Sequence, residues 1–348
     1  MILTISILVA ILLYVVYTAG YISKKNICFW IGAMTFILLG MRSTTTGGDT
    51  YQYYNDFLRI DVDSLSITIA NSPMKDIGFI IFEWFVKRIG GTFRTVLLIN
   101  GFLFGTAIGK VFYRHSDNPG LSYVLLFSFN IFQFCLSGLR QTFAIALFIF
   151  ALMLYEDKKY IKSSILMLLA GGFHLSAFIL VVIPIIQLLF KKPNRIKYSI
   201  PIILAVFLLR NQIAIILSNI LFSITDRMST DIISSGAGLT TTIVVMTIYV
   251  FSALFAVPYC NKNNQGIMDF SLMLFAVLFE ALVPANPIFF RIAFYTLWII
   301  AILVPRIIHV AFTKNSQLIA NIFAYGIALT MYFGFTMNSV VGGYHFLG

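Results

Sequence analysis

The sequence is a succession of continuous apolar runs, 14 to 23 residues long, separated by short polar segments. An α-helix needs about 20 mostly apolar residues to cross the hydrocarbon core of a bilayer. The runs do not alternate between apolar and polar residues, which excludes a closed β-barrel. Charged residues make up 11% of the chain, against about 25% in soluble domains. We therefore predict an all-α polytopic membrane protein.

About twelve membrane-spanning helices are predicted, although several of the runs are short. One neighbouring pair could instead form a single span, because only Gly171-Gly172 divides it. Two spans are favoured, since a hairpin returns the basic segment 191–197 to the side that holds Lys158 and Lys159. The predicted spans are 2–20, 27–41, 95–112, 121–137, 141–156, 160–173, 174–190, 199–221, 240–258, 267–284, 289–305 and 317–335.

The charges of the chain predict its orientation in the membrane. The net charge is +11, which in a soluble protein would suggest nucleic-acid binding. Here the preference of basic loops for the cytoplasmic side explains the excess, and no nucleic-acid partner is expected. The twelve-span arrangement puts 14 of the 24 cations, but only four of the 13 acids, on the inner side. It predicts one membrane domain, 1–348, with both termini and the large loops 42–93 and 222–239 outside.

The segment 74–90 could be a further span or a helix lying in the interface. Its charged residues Asp76, Glu83, Lys87 and Arg88 interrupt the apolar pattern. An amphipathic helix at the membrane surface accommodates such residues better than a span does. We predict an interfacial helix within the outer loop.

Several kinds of site are not predicted by the sequence. Cys28, Cys135 and Cys260 are scattered in or beside apolar runs, without the spacing of a disulfide framework or a metal site. No motif for nucleotide binding or metalloprotease chemistry is found. The pair Asp61-Val-Asp63 resembles the Asp-x-Asp of metal-dependent glycosyltransferases, but the soluble domain in which that motif works is missing. We expect neither a metal nor a cofactor.

The longest polar stretch follows the second apolar run, from Arg42 to Phe57. It combines an arginine, a Gly-Gly pair, the carboxylate of Asp49 and the tyrosines Tyr51, Tyr53 and Tyr54. A segment of this composition packs poorly in lipid. It is typical of a surface that binds a phosphate or a sugar.

Further polar residues are predicted on the same outer face. Arg140 and Gln141 lie in a tight turn between two apolar runs, and Arg291 and Tyr295 begin a later run. A lone outer arginine is more often an anchor at the lipid headgroups than a ligand. A functional role is favoured for Arg140, because ionisable groups at membrane depth usually serve function. His174 fits a structural helix cap and a functional group equally well.

The chemistry that suits these residues is transfer of a sugar from a lipid-linked pyrophosphate. Guanidinium groups donate in a fixed fork that matches phosphate oxygens, and they would stabilise the charge on a departing pyrophosphate. Tyrosine rings can stack on sugars. Asp49 could remove the proton of an attacking sugar hydroxyl if its site is partly dry.

Four short motifs resemble those of a known family. They are Arg42 with Gly48-Asp49-Thr-x-x-Tyr53, Asp76-x-Gly78-Phe79, Leu139-Arg140-Gln141-x-x-Ala144, and Leu169-Ala-x-x-Phe173-His174-x-Ser176-Ala177. In this order, with Arg291 and Tyr295 after them, they resemble the EpsG-type branch of the Wzy-type polymerases of bacterial O-antigen and exopolysaccharide. The carboxyl-terminal tail departs from the pattern, since Gly343-Tyr344 stands where a Pro-Tyr pair is expected.

The resemblance implies a multi-pass enzyme of the bacterial inner membrane that acts on the periplasmic face. Such an enzyme joins undecaprenyl-pyrophosphate-linked oligosaccharide units during lipopolysaccharide or related polysaccharide biosynthesis. It implies that Arg140, Arg42 and Arg291 hold the pyrophosphate and that Asp49 or His174 is the base. The predicted substrate-binding set is Arg42, Tyr51, Tyr53, Tyr54, Gln141, Arg291 and Tyr295. Membrane lipids surround the chain. The resemblance also allows a chain-length regulator and a flippase as protein partners.

Other functions remain open at this point. A polysaccharide flippase or transporter would also have about twelve spans, but internal repeats and midplane polar residues are typical of that class. A membrane acyltransferase would use a histidine, yet no entry for an acyl donor is recognisable. A non-enzymatic partner of the assembly machinery is the third alternative.

Overall fold

The structure is a computed structural model that describes residues 1–72, 76–225, 238–263, 265–337, 339 and 343–346, with the side chains of 221–225 left out. Over these residues the chain is helical, and the β-type pairing is an isolated antiparallel bridge between Arg42 and Phe346. The predicted all-α class is confirmed. Most of the predicted outer loop 222–239 lies outside the described residues.

The chain forms two compact units, and the first comprises residues 1–179 and 318–348. Its helices are α1 (Ile2–Thr18), α2 (Lys24–Gly40), α3 (Thr50–Leu58), α4 (Leu65–Asn71), α5 (Ile77–Arg88), α6 (Phe93–His115), α7 (Pro119–Ser128), α8 (Ile131–Ser137), α9 (Leu139–Glu156), α10 (Tyr160–Phe173) and most of α19 (Lys314–Met331). A 3-10 helix (Leu175–Val181) leads out of this unit, and a π-helical turn (Tyr332–Thr336) follows α19.

The second unit comprises residues 180–317. Its helices are α11 (Val182–Leu189), a 3-10 helix (Pro193–Tyr198), α12 (Ser199–Leu208), α13 (Arg210–Thr225), α14 (Leu239–Leu254), α15 (Ala256–Lys262), α16 (Gly266–Glu280), α17 (Phe289–Leu297) and α18 (Ile300–Ala311). The prediction of a single membrane domain concerns the whole chain and stays a prediction.

Each predicted span coincides with helical structure, but several spans are broken. Segment 121–137 forms α7 and α8, which meet at 59° where Asn130 adopts a left-handed conformation with φ of 59°. Over the described residues, three helices (α6, α9 and α19 with its π-helical extension) are long and apolar enough to cross a membrane, and four bent pairs raise the number to as many as seven. The count of twelve spans stays a prediction.

Helices α2 and α6 pack side by side along small residues. A Cβ on Gly32 would lie 2.8 Å from the carbonyl oxygen of Gly105, and one on Gly105 would lie 2.5 Å from that of Gly32. Small residues allow such close approach of helices in membrane proteins. Because these helices flank residues 41–92, their packing brings the two ends of the predicted outer loop together.

The predicted outer loop 42–93 is itself folded into helices α3, α4 and α5. Tyr53, Phe57, Phe79 and Val86 from this segment pack with Phe143 of α9 in one buried cluster. The aromatic ring of Phe173 at the end of α10 lies 5.1 Å from that of Phe143, centroid to centroid. A hydrophobic core therefore fixes the loop against the helices that follow it.

The helix predicted over 74–90 is observed as α5. One face of α5, which carries Phe79, Ile80, Glu83 and Val86, is buried in the protein. The other face exposes an apolar stripe, consisting of Ile77, Ile81, Phe85 and Ile89. This distribution suits a helix between protein and lipid, and its position in the membrane interface stays a prediction.

Candidate functional site

The polar stretch that begins at Arg42 is held against the end of α8. Gly47 has a positive φ of 91°, and a Cβ there would lie 2.2 Å from the carbonyl oxygen of Leu136. The backbone N–H of Gly48 donates to Ser137 Oγ at 2.9 Å, and Thr50 Oγ1 donates to the oxygen of Leu136 at 2.8 Å. Only glycine suits both the left-handed conformation and the close approach. The Gly-Gly pair therefore brings the stretch next to the start of α9.

Arg42 is completely buried. Its Nη1 donates to the carbonyl oxygen of Leu39, while Nε and Nη2 have no hydrogen-bond partner among the described residues. The tail lies over it, because the backbone N–H of Ser43 donates to the oxygen of His345 at 2.9 Å and Tyr344 Oη donates to the oxygen of Leu38 at 2.7 Å. A buried guanidinium with unsatisfied donors is a strong binding group for an anion.

Three distant residues form an ion-pair cluster, which we call the Arg140 cluster: Arg140, Asp76 and His174, with Tyr53 against it. Nη1 of Arg140 donates to Asp76 Oδ2, and the same oxygen lies 3.2 Å from His174 Nδ1. Nε of Arg140 donates to the hydroxyl oxygen of Tyr53 at 3.2 Å. The side chains of Asp76 and Arg140 are largely buried, so the pairing is shielded from solvent screening.

Asp76 is held in its ionised form. Burial acts to raise the pKa of its carboxyl group. The hydrogen bond and charge of His174, the charge of Arg140 and the backbone N–H of Leu175 outweigh burial and hold the pKa below its usual value. The Leu175 N–H donates to Oδ1 at 2.9 Å. Nδ1 of His174 faces this carboxylate, so Asp76 orients the imidazole ring.

The position of Asp76 depends on close contact between two helices. Asp76 is the residue that precedes α5, and His174 is the residue that follows α10. A Cβ on Gly78 would lie 2.7 Å from the backbone of Gly172. A side chain at position 78 would therefore separate the end of α5 from the end of α10. The two glycines bring the carboxylate and the imidazole into contact.

The three predicted sugar-binding tyrosines differ in their surroundings. Tyr51 is 58% exposed, whereas Tyr53 is buried with its ring 6.0 Å from that of Phe79. Tyr54 is partly buried against Phe93, with ring centroids 5.7 Å apart. Tyr51 alone of the three presents most of its ring for stacking. Tyr53 instead positions Arg140, since the guanidinium carbon lies 5.4 Å from the centroid of the Tyr53 ring.

The other predicted residues are placed as follows. Asp49 is half-buried and precedes α3, without a side-chain capping bond to the helix. Gln141 is buried in α9 next to Arg140. Arg291 is exposed and Tyr295 is fully buried on α17, in the second unit. The roles of these residues stay predictions.

Two acidic residues were missed as site residues. Asp76 and Glu83 both count, in the sequence, as charges that interrupt the apolar pattern of 74–90. The motif Asp76-x-Gly78-Phe79 held a signal for the first, because it is one of the four family-like motifs. For Glu83 the signal was its place seven residues after Asp76, which puts both on one side of a helix.

Among the described residues, no group of three or more His, Cys, Asp or Glu side chains is placed to hold a metal ion. The Asp61-Val-Asp63 pair has a local structural role, because Asp61 Oδ1 accepts from the backbone N–H groups of Asp63 at 2.9 Å and Ser64 at 3.3 Å. The arrangement at the Arg140 cluster can instead bind an anion and accept a proton.

Comparison with known proteins gives one family. The chain matches the EpsG family over residues 25–346, which is nearly its whole length. No curated protein and no solved structure matches it.

Proposed function

Because this chain belongs to the EpsG family, we propose that it is a membrane glycosyltransferase that polymerises undecaprenyl-pyrophosphate-linked oligosaccharide units. Membership suggests an exopolysaccharide or O-antigen polymerase-like role. The observation that carries the proposal is the Arg140 cluster, in which a cation, an oriented imidazole and a buried carboxylate meet. Such a cluster provides the two functions that the transfer needs, anion stabilisation and proton removal.

In the proposed reaction, a hydroxyl oxygen of the acceptor sugar attacks the anomeric carbon of the growing chain. The bond between that carbon and the pyrophosphate oxygen breaks, and undecaprenyl pyrophosphate leaves with the electron pair. The hydroxyl proton passes to Nε2 of His174, whose other ring nitrogen faces Asp76. The transfer as written is balanced without an oxidant or a metal.

The arginines compensate the charge that develops on the leaving pyrophosphate. The guanidinium of Arg140 has five N–H donors, and its bonds to Asp76 and Tyr53 fix its plane. Arg42 is proposed as a second pyrophosphate ligand on the basis of the family resemblance, and its Nε and Nη2 have no hydrogen-bond partner among the described residues. Arg291 is proposed as a third pyrophosphate ligand on the basis of the family resemblance. Removing one such electrostatic group typically costs ~10²–10³ in rate.

His174 is the better supported of the two candidate bases. Asp76 orients its ring, as the carboxylate does in a catalytic triad, and this contact is the reason for the preference. The bacterial inner membrane, the periplasmic face and the partnership with a flippase and a chain-length regulator belong to the same proposal.

The proposal is tested by reconstitution. The purified protein is placed in vesicles with the lipid-linked repeat unit of the producing cell, and the products are separated on a gel. A ladder of chain lengths is expected. Translocation of the lipid-linked unit without chain growth would contradict the proposal and favour a transporter.

A matched pair of arginine variants makes the test specific. Arg140→Ala is expected to abolish the ladder, since it removes the cation of the Arg140 cluster. Arg88→Ala is the control, because Arg88 pairs with Asp63 in the same folded loop while both side chains are exposed. Exposed pairs contribute little to stability, so this control is expected to retain the ladder. A normal ladder from Arg140→Ala would exclude its role with the pyrophosphate.

A further inference from the structure

A cavity of about 210 Å³ lies within the folded loop. It is smaller than the ~300–1,000 Å³ that holds a drug-sized ligand, and it suits a single ring. Seven of the ten described residues that line it are polar. Those that carry the argument are Asp56, Arg59, Asp61, Thr68, Asn71 and Glu83.

Glu83 is a buried group with an unsatisfied oxygen at this cavity. Its side chain belongs to the wall of the cavity, the residue is 2% exposed, and Oε1 has no hydrogen-bond partner in the described part of the chain. An unsatisfied buried polar atom costs about 1–3 kcal/mol. A ligand that donates to or accepts from this carboxyl group would recover that cost.

The cavity and the Arg140 cluster share two helices. On α5, Ile80 and Glu83 line the cavity on the same side as Asp76, which lies roughly 10 Å away along the axis at 1.5 Å per residue. On α3, Asp56 lines the cavity one turn after Tyr53, which contacts Arg140. A molecule whose reacting end meets the Arg140 cluster can therefore extend into the cavity.

The chemistry of the wall selects a neutral polyhydroxylated ligand. An anion is disfavoured, because three carboxyl groups face one arginine. A metal ion is disfavoured as well, since the described acidic side chains form no ligand set. Sugar hydroxyls both donate and accept hydrogen bonds, as this set of carboxyl, amide, hydroxyl and guanidinium groups requires.

The protonation of Glu83 fits the same ligand. Burial, reinforced by the charge of Asp56, raises the pKa of Glu83 well above its usual value, while Arg140 acts in the opposite direction. The carboxyl group thus keeps its proton to a higher pH than a solvated glutamate does. It can donate to one hydroxyl oxygen of a sugar ring and accept from another hydroxyl.

We propose that this cavity is a sugar subsite, in which Glu83, Asp56 and Asn71 bind one ring of the acceptor repeat unit and hold its neighbouring sugar at the Arg140 cluster. The assignment to an acceptor rests on the proposed function. The sugar subsite itself rests on the cavity and on the unsatisfied carboxyl group.

Binding of the lipid-free repeat-unit oligosaccharide tests the subsite directly. Trp84 reports on it, because its indole N–H donates to the backbone oxygen of Asp61 in the wall of the cavity at 3.1 Å. The wild type is expected to change its fluorescence on titration, and Trp84→Phe to lose that signal. Calorimetry measures the affinity of each protein independently, and no binding up to ~10 mM would overturn the proposal.

The variant Glu83→Leu is expected to raise the Kd for the oligosaccharide, and the KM for the acceptor, at least tenfold, with a smaller change in kcat. Glu83→Gln keeps the shape and hydrogen-bonding capacity, so an intermediate Kd is expected. Asp63→Leu is the matched control, because Asp63 belongs to the same loop but is 87% exposed at its side chain. An unchanged Kd in Glu83→Leu, with the fold verified by thermal melting, would overturn the subsite.

The two proposals fail in different ways. A wild type that forms the ladder while Glu83→Leu binds the oligosaccharide normally contradicts the subsite alone. A wild type that binds the oligosaccharide through Glu83 and forms no ladder keeps the subsite and contradicts the polymerase. An acceptor KM that stays constant while the KM of the lipid-linked donor rises would contradict the acceptor assignment.

Discussion

At the scale of single residues, one carboxylate organises the candidate site. Asp76 binds Arg140 through one oxygen, shares that oxygen with His174 and accepts the Leu175 N–H with the other. A buried charge is tolerated only when it is paired and hydrogen-bonded. Asp76 thereby fixes both the cation and the imidazole, with Nδ1 of His174 towards the carboxylate.

This arrangement predicts a difference between the two candidate bases. His174→Gln is expected to lower the initial rate of polymerisation by ~10²–10⁴, the usual contribution of general acid–base catalysis. Asp49→Asn is expected to stay within about tenfold of the wild type, because proton removal in the proposal passes through His174. Rates are measured from ladder formation at equal protein concentration. A large loss in Asp49→Asn with a normal rate in His174→Gln would reverse the assignment.

At the scale of elements, the site depends on how closely α5 approaches α10. The backbones touch at Gly78 and Gly172, two residues from Asp76 and His174 respectively. The contact is asymmetric. A Cβ on Gly78 would lie 2.7 Å from the backbone of Gly172, whereas a Cβ on Gly172 would have its nearest neighbour, Gly78 Cα, at 3.8 Å.

A pair of alanine substitutions tests this contact. Gly78→Ala is expected to lower both the melting temperature and the polymerisation rate, because the helices must separate and the Asp76–His174 contact lengthens. Gly172→Ala is expected to be neutral or to stabilise by about 0.5–1 kcal/mol, since alanine favours a helix more than glycine does. Thermal melting in detergent and the ladder assay measure both effects. Equal behaviour of the two variants would contradict the packing.

At the scale of the whole molecule, a folded segment lies between α2 and α6, and α6 is long and apolar enough to cross a membrane. The end of α2 and the start of α6 hold residues 41–92, which include Asp76 and Tyr53 of the Arg140 cluster and the proposed sugar subsite. The distribution of charge predicts that this segment lies outside the cytoplasm, while the turn after α9, with Lys158 and Lys159, lies inside.

Thiol labelling tests this topology. Asp63→Cys is expected to react with a membrane-impermeant maleimide in right-side-out vesicles, because its side chain is 87% exposed in the folded loop. Lys159→Cys, at a position 55% exposed, is expected to react only in inside-out vesicles. The three native cysteines are replaced by alanine for the measurement. Labelling of both positions from the same side would contradict the predicted orientation.

The sequence by itself determined the helical class, the positions of the long apolar helices and the family, while α3 and α4 were predicted only as loop. The reason is that these properties are local: a continuous apolar run in a membrane must satisfy its own backbone hydrogen bonds, and the helix does so. The motifs around Arg42, Asp76, Arg140 and His174 were equally visible, because each is a short stretch of chain. The number of membrane crossings could not be predicted from the sequence, because bends such as that at Asn130 depend on neighbouring helices.

Only the tertiary structure decided which of these motifs meet. Asp76 is 64 residues from Arg140 and 98 from His174, and no local pattern encodes contacts of that length. In the sequence, Asp76 only interrupts an apolar segment, whereas in the packed structure it lies at the centre of the site. Packing also buries Tyr53 against Arg140. It also enclosed Glu83 without a partner beside a cavity. Burial and pairing of charges belong to the assembled core, because they depend on which helices exclude water from which side chains.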